Sequence, residues 1–489
     1  MSISSAFNNA ASGLRATSRL ASTISNNVSN ALTAGYAKRT TSLGSSSAGG
    51  VGTGVTIGAT TRAESIYLTT ERRLADATLA STTAQSDAYD RLMTAMGEAG
   101  VDGSLSANAT ALETALMAAV ASPQSTTILT QAMDSARNLV ASLNAIANEA
   151  STLRTEADTA IARQVSKVNE NLRRIDDLNS RIQNLDLQGV DTLSLKDERG
   201  LLIDGISSII PVRAVNRSGG QVAIYTQNGA ALLDGTVWEL SFDAAPTTVT
   251  YDLTVGNGAL GGLRQDQGAF SGLVDITTGT GTGAMDGGSL SALFQIRDRL
   301  VPEFTAEVDG FANDLIGRFR DLMPAAALDG AGNGLFVDAT GSGTTGLSSR
   351  IAVNAAADPD QGGYVWRLRD GLSAVTEGTA GNASVLQTMT DAMAQSRQPT
   401  GLISQSARAN SATMASEISA FFAGKAARSD DDLAFITARQ ATLSEQELNF
   451  TGVDSDSELE YLTMVEQAYA ANAKVLTTID NLMQLLLEM

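Results

Sequence analysis

Apolar residues recur in alternating steps of four and three over the first thirty positions, at Ile3, Phe7, Ala10, Leu14, Thr17, Ala21, Ile24, Val28 and Ala31. The last thirty repeat the pattern with Leu462, Val465, Tyr469, Asn472, Leu476, Ile479, Met483 and Leu486. A seven-residue period of this kind marks a helix seam that meets another helix. Both ends are therefore predicted to be helical, paired with each other or with neighbouring copies. Ser455 and Glu458 follow Gly452 at capping-box spacing, which predicts the start of the C-terminal helix. The N-terminal seam is weak, with Ala and Thr at several positions. Burying one large aliphatic stabilises by about 1.5–3 kcal/mol and few are present, so the two ends are expected to be largely unfolded in the monomer and to order on assembly.

Between the ends, the pattern changes period several times. Residues 44–58 are rich in Gly and Ser and read as a loop or short strand. No Gly or Pro occurs from Ala59 to Met96 or from Gln124 to Gln188. In the second stretch Ile161, Val165, Val168, Leu172, Ile175, Leu178, Ile182 and Leu185 line one helix face. From Val190 to Gly283 the chain turns to Gly, Thr and β-branched residues, with alternating runs such as 221–225 ending in Asn228-Gly229 and Asp234-Gly235, the pattern of hairpins. A helix is predicted from about Ser289 to Leu322, then short strands at 335–337, 351–353 and 364–368. Helical pattern resumes over 382–450, with a break expected at Gly424.

The predicted fold is thus α+β and multidomain. Residues 1–45 and 453–489 form a terminal helical coiled-coil domain, and 46–189, 286–325 and 380–452 an elongated, rod-like helical bundle. Residues 190–285 and 326–379 form a β-rich outer domain, the three nested so that both termini lie at one end.

Charge sharpens the reading of the ends. The chain carries 33 basic and 53 acidic residues, a net −20, and no basic cluster of the kind that binds nucleic acid. Residues 1–63 hold Arg15, Arg19, Lys38, Arg39 and Arg62 without an acid. Residues 454–489 hold Asp454, Asp456, Glu458, Glu460, Glu466, Asp480 and Glu488 against Lys474 alone. Opposite signs favour a meeting of the two ends.

Candidate chemistry is sparse. There is no histidine and no cysteine, which removes the Ser-His-Asp triad, thiol chemistry and nearly all transition-metal sites. Gly341 to Gly346 match the spacing of a dinucleotide fingerprint, but Ser348 to Val353 after them read as strand where that motif needs a helix. Asp454 to Glu458 lack the frame of a calcium loop and read as helix capping, and Asp329 to Gly334 read as a turn. No nucleophile-and-base pair, cofactor site or metal site is expected, and the chain is read as non-enzymatic. A carboxylate-dependent glycosidase would need an acid pair in a cleft, and nothing selects one. No cleavable signal pattern or membrane-spanning run is seen.

Two segments carry a resemblance. Ser25 to Arg39, with Asn26, Asn27, Asn30, Gly35 and Tyr36, resembles the N-terminal signature of flagellar rod, hook and hook-associated proteins. Glu466 to Asp480, with Gln467, Ala468, Tyr469 and Asn472, resembles the C-terminal signature of the same families. Leu195 to Leu202, Gly219-Gly220, the Asn228-Gly229 hairpin and Gly288 to Leu293 are similar to the hook-associated protein 1 family. Departures are Gly200 for a usual acid, Ser455 for a usual Leu and Val465 for a usual aromatic, and the chain looks short for that family.

The resemblance implies a structural adaptor that polymerises at the hook tip, with its terminal helices in the inner tube. It implies export without a cleaved signal peptide through the flagellar type III apparatus, escorted by a chaperone. Expected partners are further copies of itself, hook protein and the next junction protein, and the expected location is extracellular. The residues expected to carry assembly are Ile3, Phe7, Ala10, Leu14, Ile24, Val28, Leu462, Val465, Tyr469, Leu476, Ile479, Met483 and Leu486. Flagellin and hook protein are the alternatives. Flagellins carry different terminal signatures and lack the Ala34-Gly35-Tyr36 element, and hook proteins have a mostly β body, against which the helical stretch 124–188 argues.

Overall fold

The computed structural model describes residues 3–48, 51–266, 273–276, 283–341, 343–398, 402–404 and 407–488. In chain order, helix α1 (Ile3–Ser29) leads into strands β1 (Arg39–Ala48) and β2 (Val51–Arg62), then helices α2 (Ile66–Met96), α3 (Leu105–Ala121), α4 (Thr126–Leu187) and α5 (Leu193–Ser207). Strands β3 (Val212–Asn216), β4 (Val222–Thr226), β5 (Ala231–Leu233), β6 (Leu240–Ser241), β7 (Arg264–Asp266) and β8 (Leu273–Asp275) follow. Helix α6 (Gly288–Gln295) runs through a π turn (Ile296–Leu300) into α7 (Val301–Asp321). The chain closes with β9 (Phe336–Asp338), β10 (Ile351–Val353), α8 (Arg367–Asp370), α9 (Ser384–Ala394), α10 (Ser411–Thr451) and α11 (Ser455–Leu487). This is a mixed α+β, multidomain architecture of helical bundles with, among the described residues, four small antiparallel sheets.

The long uninterrupted stretches become long helices. Helix α4 has 62 residues, about 90 Å at 1.5 Å per residue. Every residue of its predicted face from Ile161 to Ile182 is buried, and Leu185 is half-buried. Three expectations are corrected. Gly424 does not break its helix, because α10 runs through it with no left-handed residue to end it. Residues 44–48 and 51–58 lie in two long antiparallel strands, β1 and β2, whose register aligns Arg39 with Arg62 and Ala48 with Val51. Residues 364–368 are not a strand: Tyr364 to Trp366 form a turn into the short helix α8.

Contacts divide the chain into two compact units. Unit 1 comprises residues 1–77, 168–238 and 437–489, and unit 2 comprises 78–167 and 239–436. These limits differ from the sequence-based divisions at 45, 189, 285 and 452.

In unit 1, α1 packs along α11 and against the β1–β2 hairpin. The hairpin approaches closely because Gly54, at φ +111°, leaves no Cβ to strike the Ser12 hydroxyl. That hydroxyl accepts the Val55 N–H at 3.1 Å. The β3–β4–β5 meander is pinned to the end of α4 by Asn179, which accepts the Val222 N–H at 3.1 Å and donates to its carbonyl at 2.9 Å.

Unit 2 holds the large apolar core, built on α3, α7, α9 and parts of α2, α4 and α10. Phe304 meets Phe422 edge-on at 4.9 Å, and Phe319 meets Phe336 at 5.0 Å. The π turn carries the wholly buried Arg297, paired with Asp158 at 2.6 Å and Asp298 at 2.8 Å, beside the Phe242 and Phe294 rings. The Gly346 end of the fingerprint-like segment is held by the buried Asp309 carboxylate, which accepts N–H bonds from Gly346 and Ser348. Ser342 lies outside the described residues.

Candidate assembly site

The two terminal helices meet over a seam of mostly small residues. On α1 the buried face is Ala10, Gly13, Ala16, Thr17, Leu20, Thr23, Ile24 and Asn27. Among the predicted seam residues, Ala10 and Ile24 are buried, Ile3, Leu14 and Val28 are half-buried, and Phe7 is 50% exposed. On α11, Val465 and Ile479 are buried and Leu462 and Leu476 half-buried, whereas Tyr469 and Met483 are both 49% exposed. The Leu486 side chain lies outside the described residues. Leu20, Ile24 and Val465 form the apolar centre, with Ala21, Val28 and Leu462 around it.

Leu20 and Gly13 fall outside the strict heptad yet lie on the side of α1 that meets α11, so its buried arc is wider than one seam. Gly13 is required by a close approach: a Cβ there would sit 2.8 Å from Asn472 Oδ1.

Asn27, Tyr36, Lys38 and Arg39 of the N-terminal signature meet in one polar network around the buried Asn27 amide. Asn27, 1% exposed, accepts the Tyr36 hydroxyl at 2.9 Å and the Arg39 N–H at 3.0 Å through Oδ1. Its Nδ2 donates to the Arg39 carbonyl at 2.9 Å and to Glu458 Oε2 at 3.0 Å. The other Glu458 oxygen pairs with Lys38 Nζ at 2.9 Å. Glu458 is 4% exposed, so it is not the capping-box residue expected from its spacing. Asp454 caps α11 instead, accepting the Asp456 and Ser457 N–H groups. A buried carboxylate needs a cation and donors to offset its desolvation, and the basic N-terminal segment supplies them.

The loop before β1 is anchored to α5 as well. Gly35 stands at φ +76°, where a Cβ would fall 2.5 Å from Leu201 Cγ. Arg39 reaches Asp197 at 3.2 Å and lies over the Tyr36 ring, and Arg62 Nε lies 2.7 Å from the same carboxylate. Burial pushes the Asp197 carboxyl above its usual range, opposed by Arg62 and Arg39. Burial likewise raises the Tyr36 phenol. Asn30 folds back to the Asn26 carbonyl through both its N–H and its amide, closing the last turn of α1.

The C-terminal signature behaves differently. Asn472 faces α1 and bonds the Ala468 carbonyl at 2.9 Å, but Gln467, Ala468 and Tyr469 are exposed. One residue out of step with the buried seam, Tyr461, Met464, Val475, Leu482 and Leu485 form a second apolar stripe, each at least 42% exposed.

Comparison with known proteins matches two family descriptions. Residues 89–336, just over half of the chain, match the flagellar hook-associated protein FlgK helical domain, and residues 445–489 match the flagellar basal body rod FlgEFG protein C-terminal domain. The chain is 30% identical over 294 residues to flagellar hook-associated protein 1 of Escherichia coli K12, covering 53% of this chain and 52% of that protein. It is 28% identical over 287 residues to the protein of the same name from Salmonella typhimurium LT2, covering 53% and 51%. A solved structure, the flagellar hook junction protein FlgK from Burkholderia pseudomallei, aligns at a TM-score of 0.43 and 18% identity over 55% of this chain and 46% of that one. The chain spans about half the length of the curated relatives it matches. With the helical-domain match covering more than half of its residues, this chain belongs to the flagellar hook-associated protein FlgK family.

Proposed function

We propose that this chain is a non-enzymatic structural component of the bacterial flagellum, an adaptor that polymerises at the hook tip and joins hook to filament. The observation that carries the reading is the pairing of α1 with α11 through Asn27, Lys38 and Glu458, with an apolar stripe left exposed on α11. An amphipathic helix that keeps a second apolar stripe in solvent has a further partner to meet. In this reading that partner is the terminal helix pair of a neighbouring copy, and the nested chain sets both termini toward the axis.

Hook protein and the next junction protein bind on either side of the ring, and the relatives' names support the placement. The chain leaves the cell through the flagellar type III route, held by an export chaperone, and works outside the cell. Deleting the gene and viewing the cells by electron microscopy tests the role. Hooks without filaments, with flagellin in the medium, are expected. Missing hooks would move the protein toward rod or hook, and intact filaments would overturn the junction role.

A further inference from the structure

Unit 1 contains a cavity of about 580 Å³ whose wall includes Arg62, Lys196, Arg199, Ile66, Leu201 and Leu448. Arg199 is 7% exposed, and its Nη1 donates only to neutral acceptors, Asn179 Oδ1 at 2.9 Å and the Gly220 carbonyl at 2.7 Å. It forms no ion pair with a described residue, unlike the other cations on this wall. Arg62 pairs with Asp197 at 2.7 Å and Glu64 at 3.6 Å, Lys196 with Asp186 at 3.7 Å, and Arg72 and Arg73 share Asp204. Burial, then the charge of Arg62, bring the Arg199 guanidinium down to about 10. Glu64 and Asp186 offset this only in part. A buried guanidinium without a counter-ion is costly, and an anion entering the cavity would relieve it.

We propose that this cavity is a carboxylate-binding site and that a neighbouring copy of the chain supplies the carboxylate. The apolar residues Ile66, Leu201 and Leu448 are 60%, 43% and 63% exposed at its edge, so a side chain arriving on a protein surface is seated as well as neutralised. Copies of this chain bring the complementary charge, since 53 acids face 33 bases. On α11 Glu460, Glu466 and Asp480 are exposed and pair with no described residue. A bidentate guanidinium–carboxylate contact in a partly desolvated site is among the stronger polar contacts available. The choice of a neighbouring copy rests on the assembly reading above; the site itself does not.

Two arms test the two halves. In the first, the melting temperature of the full chain is followed against malonate, with chloride at matched ionic strength. The wild type is expected to gain at least ~2 °C, saturably, and Arg199→Gln to gain nothing beyond chloride. Gly200→Asp keeps Arg199, and a Cβ at that position meets only Arg62 Nη2, at 3.8 Å. It places a carboxylate at the site from within and is expected to abolish the malonate effect while raising the melting temperature itself. Equal effects of malonate and chloride on the wild type, or a malonate gain undiminished in Gly200→Asp, overturn the site.

In the second arm, sedimentation velocity follows self-association with concentration. Gly200→Asp, and malonate added to the wild type, are each expected to weaken it by at least roughly tenfold. Association untouched by both, or no association of the wild type while malonate still stabilises it saturably, overturns the neighbouring copy as the source.

Discussion

Asn27 links three stretches of chain through one amide: the end of α1, the loop before β1 and the first turn of α11. A truncated partner in such a network leaves buried groups unsatisfied, which costs about 1–3 kcal/mol. In the assembled protein, where the ends are ordered, Asn27→Ala should lower the melting temperature by several degrees, whereas Asn30→Ala, at a half-buried position bonded to its own helix end, should lower it far less. Equal melting temperatures for the two variants would show that the network does not hold the ends together. Asp338 makes a second prediction at this scale. Burial opposes its ionisation, but Arg350 and the Thr340 N–H outweigh burial and hold its pKa down to about 2. A carboxyl depressed in the folded state adds stability that is present above its unfolded pKa, about 3.9, and fades as pH falls toward 2. The melting temperature should therefore fall more steeply below pH 4 in the wild type than in Asp338→Asn; parallel curves would remove the Arg350–Asp338 pair as the cause.

At the scale of elements, the terminal helix pair is a shallow seam backed by a polar lock. Its apolar centre contains just Leu20, Ile24 and Val465 as buried members, so apolar area alone defines the alignment of α1 on α11 weakly. A buried polar contact is the usual device for fixing register between helices, and Asn27–Glu458 stands where one is needed. Ile479 is buried and Leu476 half-buried toward the far end of the same seam. Replacing either with Asp should block incorporation into the flagellum while the helical core of unit 2 keeps its circular dichroism and its melting transition. Normal filament growth on hooks built with Ile479→Asp would sink the terminal-helix model of assembly.

Across the whole molecule, the terminal helix pair is thin beside the core of unit 2. Unit 2 holds the large continuous core with its buried phenylalanines, and the pairing of α1 with α11 rests on few large side chains. Local stability follows buried apolar contact, so residues 1–30 and 455–487 should exchange their amide hydrogens fast in a dilute monomer and slowly once assembled. Strong protection of residues 1–30 in the monomer would mean that α1 and α11 are already a stable pair before they meet a neighbour.

The periodicity of the chain determined a good deal by itself. A helix of 62 residues follows from the absence of Gly and Pro across 124–188, and β9 and β10 fall within a residue of where alternation placed them. The paired ends were legible from two heptads of opposite charge, and the signatures from Asn27, Gly35 and Tyr36 pointed to the family. Tertiary structure alone decided the rest, because it depends on what each face meets. Spacing makes Glu458 a capping residue, and only the approach of Lys38 and Asn27 makes it a buried ion. A heptad omits Gly13 and Leu20, which are buried because α11 meets a wider arc of α1 than one seam, Gly13 lying against Asn472 and Leu20 clustering with Val465. Gly424 could have ended a helix, but ending one requires a left-handed turn that α10 does not take. The unpaired charge of Arg199 could be seen in no local pattern, since Asn179, Gly220 and Arg62 approach it from three different parts of the fold.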